Sequence, residues 1–391
     1  MRATTAHSAT ATRDPRDLPR LTTTVPKEYV HRASLAEVFL SSCTPRAPLA
    51  YTLTGQWPRA HTYFTGPDPS SHDPLQVAET IRQAGILLAH TELGVPLGHH
   101  FVLWALSYTT DPAGLRIHNR PTDFTIQARC TELLQRRTTI NRATIEMTLH
   151  RDHTPIAHGA VTFSTISPAV YTRLRGTTTP RTGTNTSTGA SAGTGCAGAS
   201  AGCAGASAGA GCTGTGAGTG CAGTGAGCTG VSAGCTGASA GMGCAGAGAG
   251  CAGTGTGVGA GCAGATPPMT PASVNRRSPT DVVLTPTSHP RRWLLTPNLD
   301  HPVLFDHTGD HIPGMVLLEA ARQAAHATAN TPAFTPTHTT TTFTRYTEFD
   351  HPCTIEVTHT QPDNNTTTTI HITGHQQNHT VFNTTITGPT T

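Results

Sequence analysis

Two pairs of charged residues stand where charge is least expected. In DHIPGMVLLEAARQAA, Asp310 to Ala325, a carboxylate at Glu319 and a guanidinium at Arg322 interrupt a run that is apolar almost all the way round. The same spacing occurs in DPLQVAETIRQAGILLAH, Asp73 to His90, where Glu79 and Arg82 take the equivalent places. Both read E-x-x-R-Q-A. Residues three apart on a helix share one face, so each pair presents an acid and a cation side by side. Two readings are open. A surface ion pair of this kind contributes only a few tenths of a kcal/mol and is common. A pair in the wall of a cleft is equipped for proton transfer and for holding an anion.

The elements that would carry these pairs follow from local pattern. Asp73 and Asp310 are candidate helix caps, and Pro74 and Pro313 suit a first helical turn. After the first helix come FVLWALSY, FTIQARCTEL, TIEMTLHR and IAHGAVTFSTI, which read as strands. Around the second helix the order repeats, with VVLTP and RRWLLT before it and TTTFTRYTEF, CTIEVTHTQ, TTTTIHITGH and TVFNTTITG after it. The expected unit is one long helix wrapped by an antiparallel sheet, present twice. Its boundaries are a leader at 1–24, a first domain at 25–175, a low-complexity Gly/Ala/Thr/Cys linker at 176–280 and a second domain at 281–389.

Composition narrows the function. The net charge is +3, with basic residues scattered rather than gathered in a stripe, so no nucleic-acid partner is expected. No apolar run reaches the roughly 20 residues of a membrane span, so no membrane partner is expected either. The amino terminus lacks the apolar centre of a signal peptide, and the cytoplasm is the expected compartment. Nine of the twelve cysteines lie between Cys196 and Cys262 in Gly/Ala/Thr repeats, seven or more residues apart and without a histidine among them. That is not metal-site spacing, and no metal is expected. The tract from Thr182 to Asn275 has no charged or aromatic residue. It reads as a flexible linker, with silk-like stacking as the rival reading.

The motifs resemble one known family. DHIPGMVLLEAARQAA looks like the signature of the A-factor biosynthesis hotdog family, the γ-butyrolactone synthases. VHRASLAEVFLSS (Val30 to Ser42), WPRAHTYF, DPLQVAETIRQAG and VPLGHHFVLWALSY resemble other segments of that family. The resemblance implies an α+β fold, a tandem (double) hotdog, in which each half has a long central helix wrapped by an antiparallel sheet. It implies an acyltransferase that moves a β-ketoacyl group from an acyl carrier protein to dihydroxyacetone phosphate. No cofactor is implied beyond the carrier's phosphopantetheine thioester. The family's functional residues fall on Glu79, Glu319 and Arg322.

Chemistry then suggests roles. Glu319, with its pKa raised by apolar surroundings, would be the base, and Glu79 a second base or an orienting carboxylate. Arg322 would bind the acceptor's phosphate, with Arg82 as its weaker echo. Gly314 would let a thioester approach the helix start, where free N–H groups can stabilise an oxyanion. His311, just before that helix, is a further pocket candidate, whereas Asp310 and Pro313 read as structural. Two alternatives remain. One is a hotdog thioesterase or dehydratase, which needs no phosphate-binding arginine. The other is a non-enzymatic module that binds an acyl chain or butyrolactone.

Overall fold

Residues whose side chains alternate between apolar and polar become strands, and the two apolar stretches with paired charges become the helices those strands enclose. The structure, a computed structural model, describes residues 22–176, 266–307, 309–329, 334–364 and 366–390. Most of the expected leader and linker lies outside the described residues.

In the first half, β1 (Leu40–Ala47) and β2 (Ala50–Trp57) precede the helix α1 (Pro74–Thr91). Four long strands follow: β3 (His100–Thr110), β4 (Thr122–Arg136), β5 (Thr139–Arg151) and β6 (Thr154–Ile166), then the short helix α2 (Pro168–Arg175). The second half repeats the plan with β7 (Leu284–Pro286), β8 (Arg292–Leu295), α3 (Gly314–Ala329), β9 (His338–Phe343), β10 (Cys353–Asn364), β11 (Thr367–Gln376) and β12 (His379–Pro389). All pair antiparallel in one twelve-stranded sheet, ordered β1-β2-β4-β5-β6-β3-β9-β12-β11-β10-β8-β7. The second half of that order is the first half reversed. The two halves therefore join edge to edge, with Ala105 to Thr109 of β3 opposite Thr342 to His338 of β9.

The β1–β2 hairpin is absent from the strands read in the sequence. Pro45 lies inside β1, which argues against a strand except at a sheet edge, and β1 is such an edge. The strand expected over TTTFTRYTEF stops at Phe343, and residues 344–349 leave the sheet.

Both long helices are enclosed. Asp73 caps α1 by accepting from Leu75 N–H at 2.9 Å, with Pro74 in the first turn. Nearly every α1 side chain is buried, the polar Gln76, Glu79, Thr80 and Gln83 included. The sheet comes so close that a Cβ on Gly159 would meet Ile81 Cδ1 at 2.4 Å. α3 is buried in the same way, from Met315 to His326.

The second half also begins earlier than the expected boundary at 281. Residues Pro271–Val274 form a 3-10 turn, Asn275 is left-handed at φ 54°, and Val274 and Arg276 are buried. Lys27–Val30, His31 (φ 51°) and Arg32 do the same in the first half. VHRASLAEVFL and VNRRSPTDVVL are thus one repeated device, and Ser34 and Ser278 both cap a second 3-10 turn.

Candidate active site

The repeated device exists to serve the two glutamates. Glu79 is fully buried and receives Arg32 Nε at 3.0 Å, Arg82 Nε at 2.9 Å and Gln83 Nε2 at 2.7 Å. Glu319 is fully buried and receives Arg276 Nε at 2.7 Å, Arg322 Nε at 2.8 Å and Gln323 Nε2 at 2.5 Å. Each glutamine also ties down the upstream segment: Gln83 bonds Glu37 O and Phe39 N–H, and Gln323 bonds Asp281 O and Val283 N–H. A second carboxylate lies near each upstream arginine, Asp306 at 3.8 Å from Arg32 and Asp73 at 3.1 Å from Arg276. Two cations thus meet two anions in each cluster, which satisfies charges that burial would otherwise make very costly.

Both clusters reach across the molecule. Arg32 Nη1 donates to Val303 O of the second half at 3.2 Å, and Arg276 Nη1 donates to Tyr63 O of the first half at 2.8 Å. Burial alone would raise both glutamate pKa values. The flanking guanidinium groups outweigh it, lowering Glu79 to about 2 and holding Glu319 well below the usual carboxylate range.

That result corrects two expectations. Glu319 is not a carboxylate with a raised pKa, because Arg276 sits beside the apolar surroundings that would raise it. Arg322 donates to Glu319 and to Val274 O and is buried, whereas Arg82, with the equivalent bonds to Glu79 and Val30 O, keeps an edge exposed. Neither Glu319 nor Arg322 lines the cavity described next.

That cavity, of about 1080 Å³, lies between the two halves. Its walls are the Gly85–Ile86 face of α1, the start of β3, Val303, Leu304, His307 and residues 309–315 with the first turn of α3, and the segment from Phe343 to Thr347. Phe101, Leu103, Phe163, Met315 and Leu317 make much of it apolar. Arg82, His311 and Gly314 all line it, and Glu79 stands directly behind Arg82. Arg345, exposed at the rim, was not anticipated from sequence; its guanidinium has no partner among the described residues.

Asp310 does not cap α3. Its carboxylate accepts from His311 Nδ1 at 2.7 Å, from Tyr171 Oη at 2.7 Å and from Arg175 Nε at 3.0 Å. The hydrogen bond from His311, with those from Tyr171 and Arg175, holds its pKa well below the usual range against partial burial. α3 instead begins at Gly314, directly after Pro313, and the N–H groups of Gly314 and Met315 have no acceptor among the described residues. A side chain at Gly314 would occupy the space where those donors open onto the cavity.

The equivalent end of α1 is closed. Asp73 occupies the Leu75 N–H, Pro74 has none, and Tyr63 is fully buried with its ring 4.2 Å from the Arg276 guanidinium. Of the two long helices, α3 has its start open to this cavity and α1 does not.

The sequence matches the family described as the A-factor biosynthesis hotdog domain over residues 13–167 and 261–391. The chain belongs to that family. Its architecture is the double hotdog, the two halves of the sheet each wrapping one long helix. A relative from Streptomyces virginiae, named 2-oxo-3-(phosphooxy)propyl 3-oxoalkanoate synthase, is 35% identical over 362 residues, covering 93% of this chain and 96% of its own. A Streptomyces coelicolor protein of the same name is 29% identical, covering 93% and 91%. Among solved structures, the 12:0-ACP thioesterase from Umbellularia californica aligns over 88% of this chain and all of its own, with 9% identity and a TM-score of 0.40.

Of the site residues that pattern reading missed, Arg32 and Arg276 had a visible signal in the V-x-R repeat. Tyr171, Arg175 and Arg345 had none, since only the fold brings Tyr171 and Arg345 to the cavity and Arg175 to Asp310.

Two outcomes follow from the buried clusters. Glu319→Gln leaves two buried guanidinium groups without a full countercharge, and stability should fall by about 3–5 kcal/mol, read by urea denaturation. An unchanged midpoint would contradict the cluster's structural role. Both glutamates are more acidic in the folded chain, so the unfolded chain binds more protons as the pH drops. Their stabilisation is complete above about pH 4.5 and should decline towards about pH 2, as Glu79 is protonated. Thermal melts across that range check the sign.

Proposed function

We propose that this protein transfers a β-ketoacyl group from a carrier-protein thioester to the free hydroxyl of dihydroxyacetone phosphate. The product is the phosphorylated ester from which a γ-butyrolactone autoregulator is made. Near full-length similarity to proteins named for that ester supports the substrate pair. One observation carries the reading. A single cavity brings together an apolar wall, an open helix start and the guanidinium groups of Arg32, Arg82 and Arg345.

Each part has a task in such a reaction. The acyl chain lies along Phe101, Leu103 and Met315, shielded from water. The thioester carbonyl points at the N–H groups of Gly314 and Met315, which stabilise the oxyanion of the tetrahedral intermediate. The phosphate meets Arg345 and Arg82, a pair of cations suited to its oxygens. Arg82 is held for that purpose by Glu79, with Arg32 behind it. Glu319 and Arg322 act as framework, fixing α3 and the segment that begins the second half. Among the described residues no helix is long and apolar enough to cross a membrane. We place the reaction in the cytoplasm.

The decisive assay combines purified protein, a β-ketoacyl carrier thioester and dihydroxyacetone phosphate, with products resolved by mass spectrometry. The phosphorylated ester is the expected product. Free β-keto acid alone would make the protein a thioesterase, and no turnover would overturn the enzymatic reading. Arg345→Ala should raise KM for dihydroxyacetone phosphate by roughly tenfold or more, the loss of one charge-assisted contact, with KM for the thioester little changed. An equal rise in both would contradict the phosphate assignment.

A further inference from the structure

With Glu319 and Glu79 ionised, buried and each held by two arginines and a glutamine, the cavity still lacks a group to take the proton from an attacking hydroxyl. Five histidines that line it differ in what their ring nitrogens can do. His99 has its Nδ1 buried without a partner, and no carboxylate among the described residues pairs with its ring. His31 has its Nε2 engaged 3.0 Å from His90 Nε2. His100 stacks on Tyr171 at 3.5 Å between centroids, and no carboxylate among the described residues hydrogen-bonds its ring. His307 is half exposed, and its nearest carboxylate, Asp306, is 3.8 Å away and already accepts from the N–H groups of Ala33 and Ser34. His311 differs from all four.

Its Nδ1 lies 2.7 Å from Asp310 Oδ1. An ionised carboxylate can only accept, so Nδ1 carries a proton, and in the neutral imidazole Nε2 is left with its lone pair. Nε2 has no partner among the described residues and is open to solvent rather than sealed in the core. The Tyr346 ring packs against the imidazole with 4.5 Å between centroids. Asp310 is itself fixed from two sides, by Tyr171 Oη and by Arg175, which also grips both oxygens of Glu348. His311 stands three residues before Gly314, on the segment that leads into the open helix start.

We infer that His311 is the general base of the transfer, oriented by Asp310, with Tyr171 and Arg175 of α2 as positioning residues. The inference rests on the acyl-transfer reading above. His311 Nε2 takes the hydroxyl proton of the acceptor as its oxygen attacks the thioester carbon. The new C–O bond forms while the carbonyl electron pair moves to the oxygen facing Gly314. Collapse restores the carbonyl and breaks the C–S bond. The imidazolium then returns its proton to the departing thiolate, leaving ester, free carrier thiol and neutral His311.

The test measures ester formation by the full chain, its His311→Ala and His311→Gln variants, and Tyr171→Phe, with and without added imidazole. His311→Gln is expected to lose about 10²–10⁴-fold in kcat with both KM values nearly unchanged. Imidazole should restore part of the activity of His311→Ala, which a structural role would not allow. Tyr171→Phe should lose less than either. A His311→Gln enzyme within a few-fold of the wild type, or one whose loss lies in KM, would overturn the assignment while leaving acyl transfer standing. A wild-type chain that forms no ester removes acyl transfer and the base together. If His311→Ala does not fold, judged by circular dichroism, His311→Gln decides alone.

Discussion

A carboxylate held between two guanidinium groups, once in each half, is the interaction on which the remaining structure depends. A buried charge without a partner costs several kcal/mol, so neither Glu79 nor Glu319 could sit inside its helix alone. The requirement pulls a distant segment onto each helix, through Arg32 in one half and Arg276 in the other. It also fixes the left-handed residues His31 and Asn275, which turn those arginines inward. Because each arginine donates to a carbonyl of the opposite half, the clusters set where Val303 and its neighbours lie relative to α1. That relation is what defines the cavity.

Duplication supplied the framework and divergence at the helix starts supplied the asymmetry. Asp73-Pro74 closes one end, with a cap and a residue that has no N–H. Pro313-Gly314 opens the other, leaving two donors directed at space that an acyl group could fill. The aromatic partners differ accordingly. Tyr63 fills its side and stacks on Arg276, whereas Val303 stands in the same place beside Arg32. Two halves that share an ion cluster therefore need not share an active site.

Much of this was legible in the residues. The E-x-x-R-Q-A repeat marked both helices, strand-like runs marked β3 to β6, and period-two patterning marked β10 to β12. What failed to show had physical causes. Pro45 disguised an edge strand, and a strand ended at Phe343 because the chain there turns to the cavity rather than the sheet. Glu319 looked like a base because its sequence neighbours are apolar, which does raise a pKa. Its decisive neighbour, Arg276, lies 43 residues upstream, in a stretch grouped with the linker. Asp310 looked like a cap because local spacing allows it; only the packing of α2 against it reveals the dyad with His311. Propensity reads neighbours along the chain, and charge partners here are neighbours in space.

The most direct test of this account is the ionisation of the two glutamates themselves. Carbon-13 NMR of the full chain with labelled glutamate carboxyl groups would follow Glu79 and Glu319 across pH, assigned by Glu79→Gln and Glu319→Gln. Both should remain ionised down to the pH at which the fold is lost, with no titration near neutrality. A glutamate in either cluster titrating between about pH 5 and 8, the range of a working base, would contradict the framework role and return proton transfer to the helices.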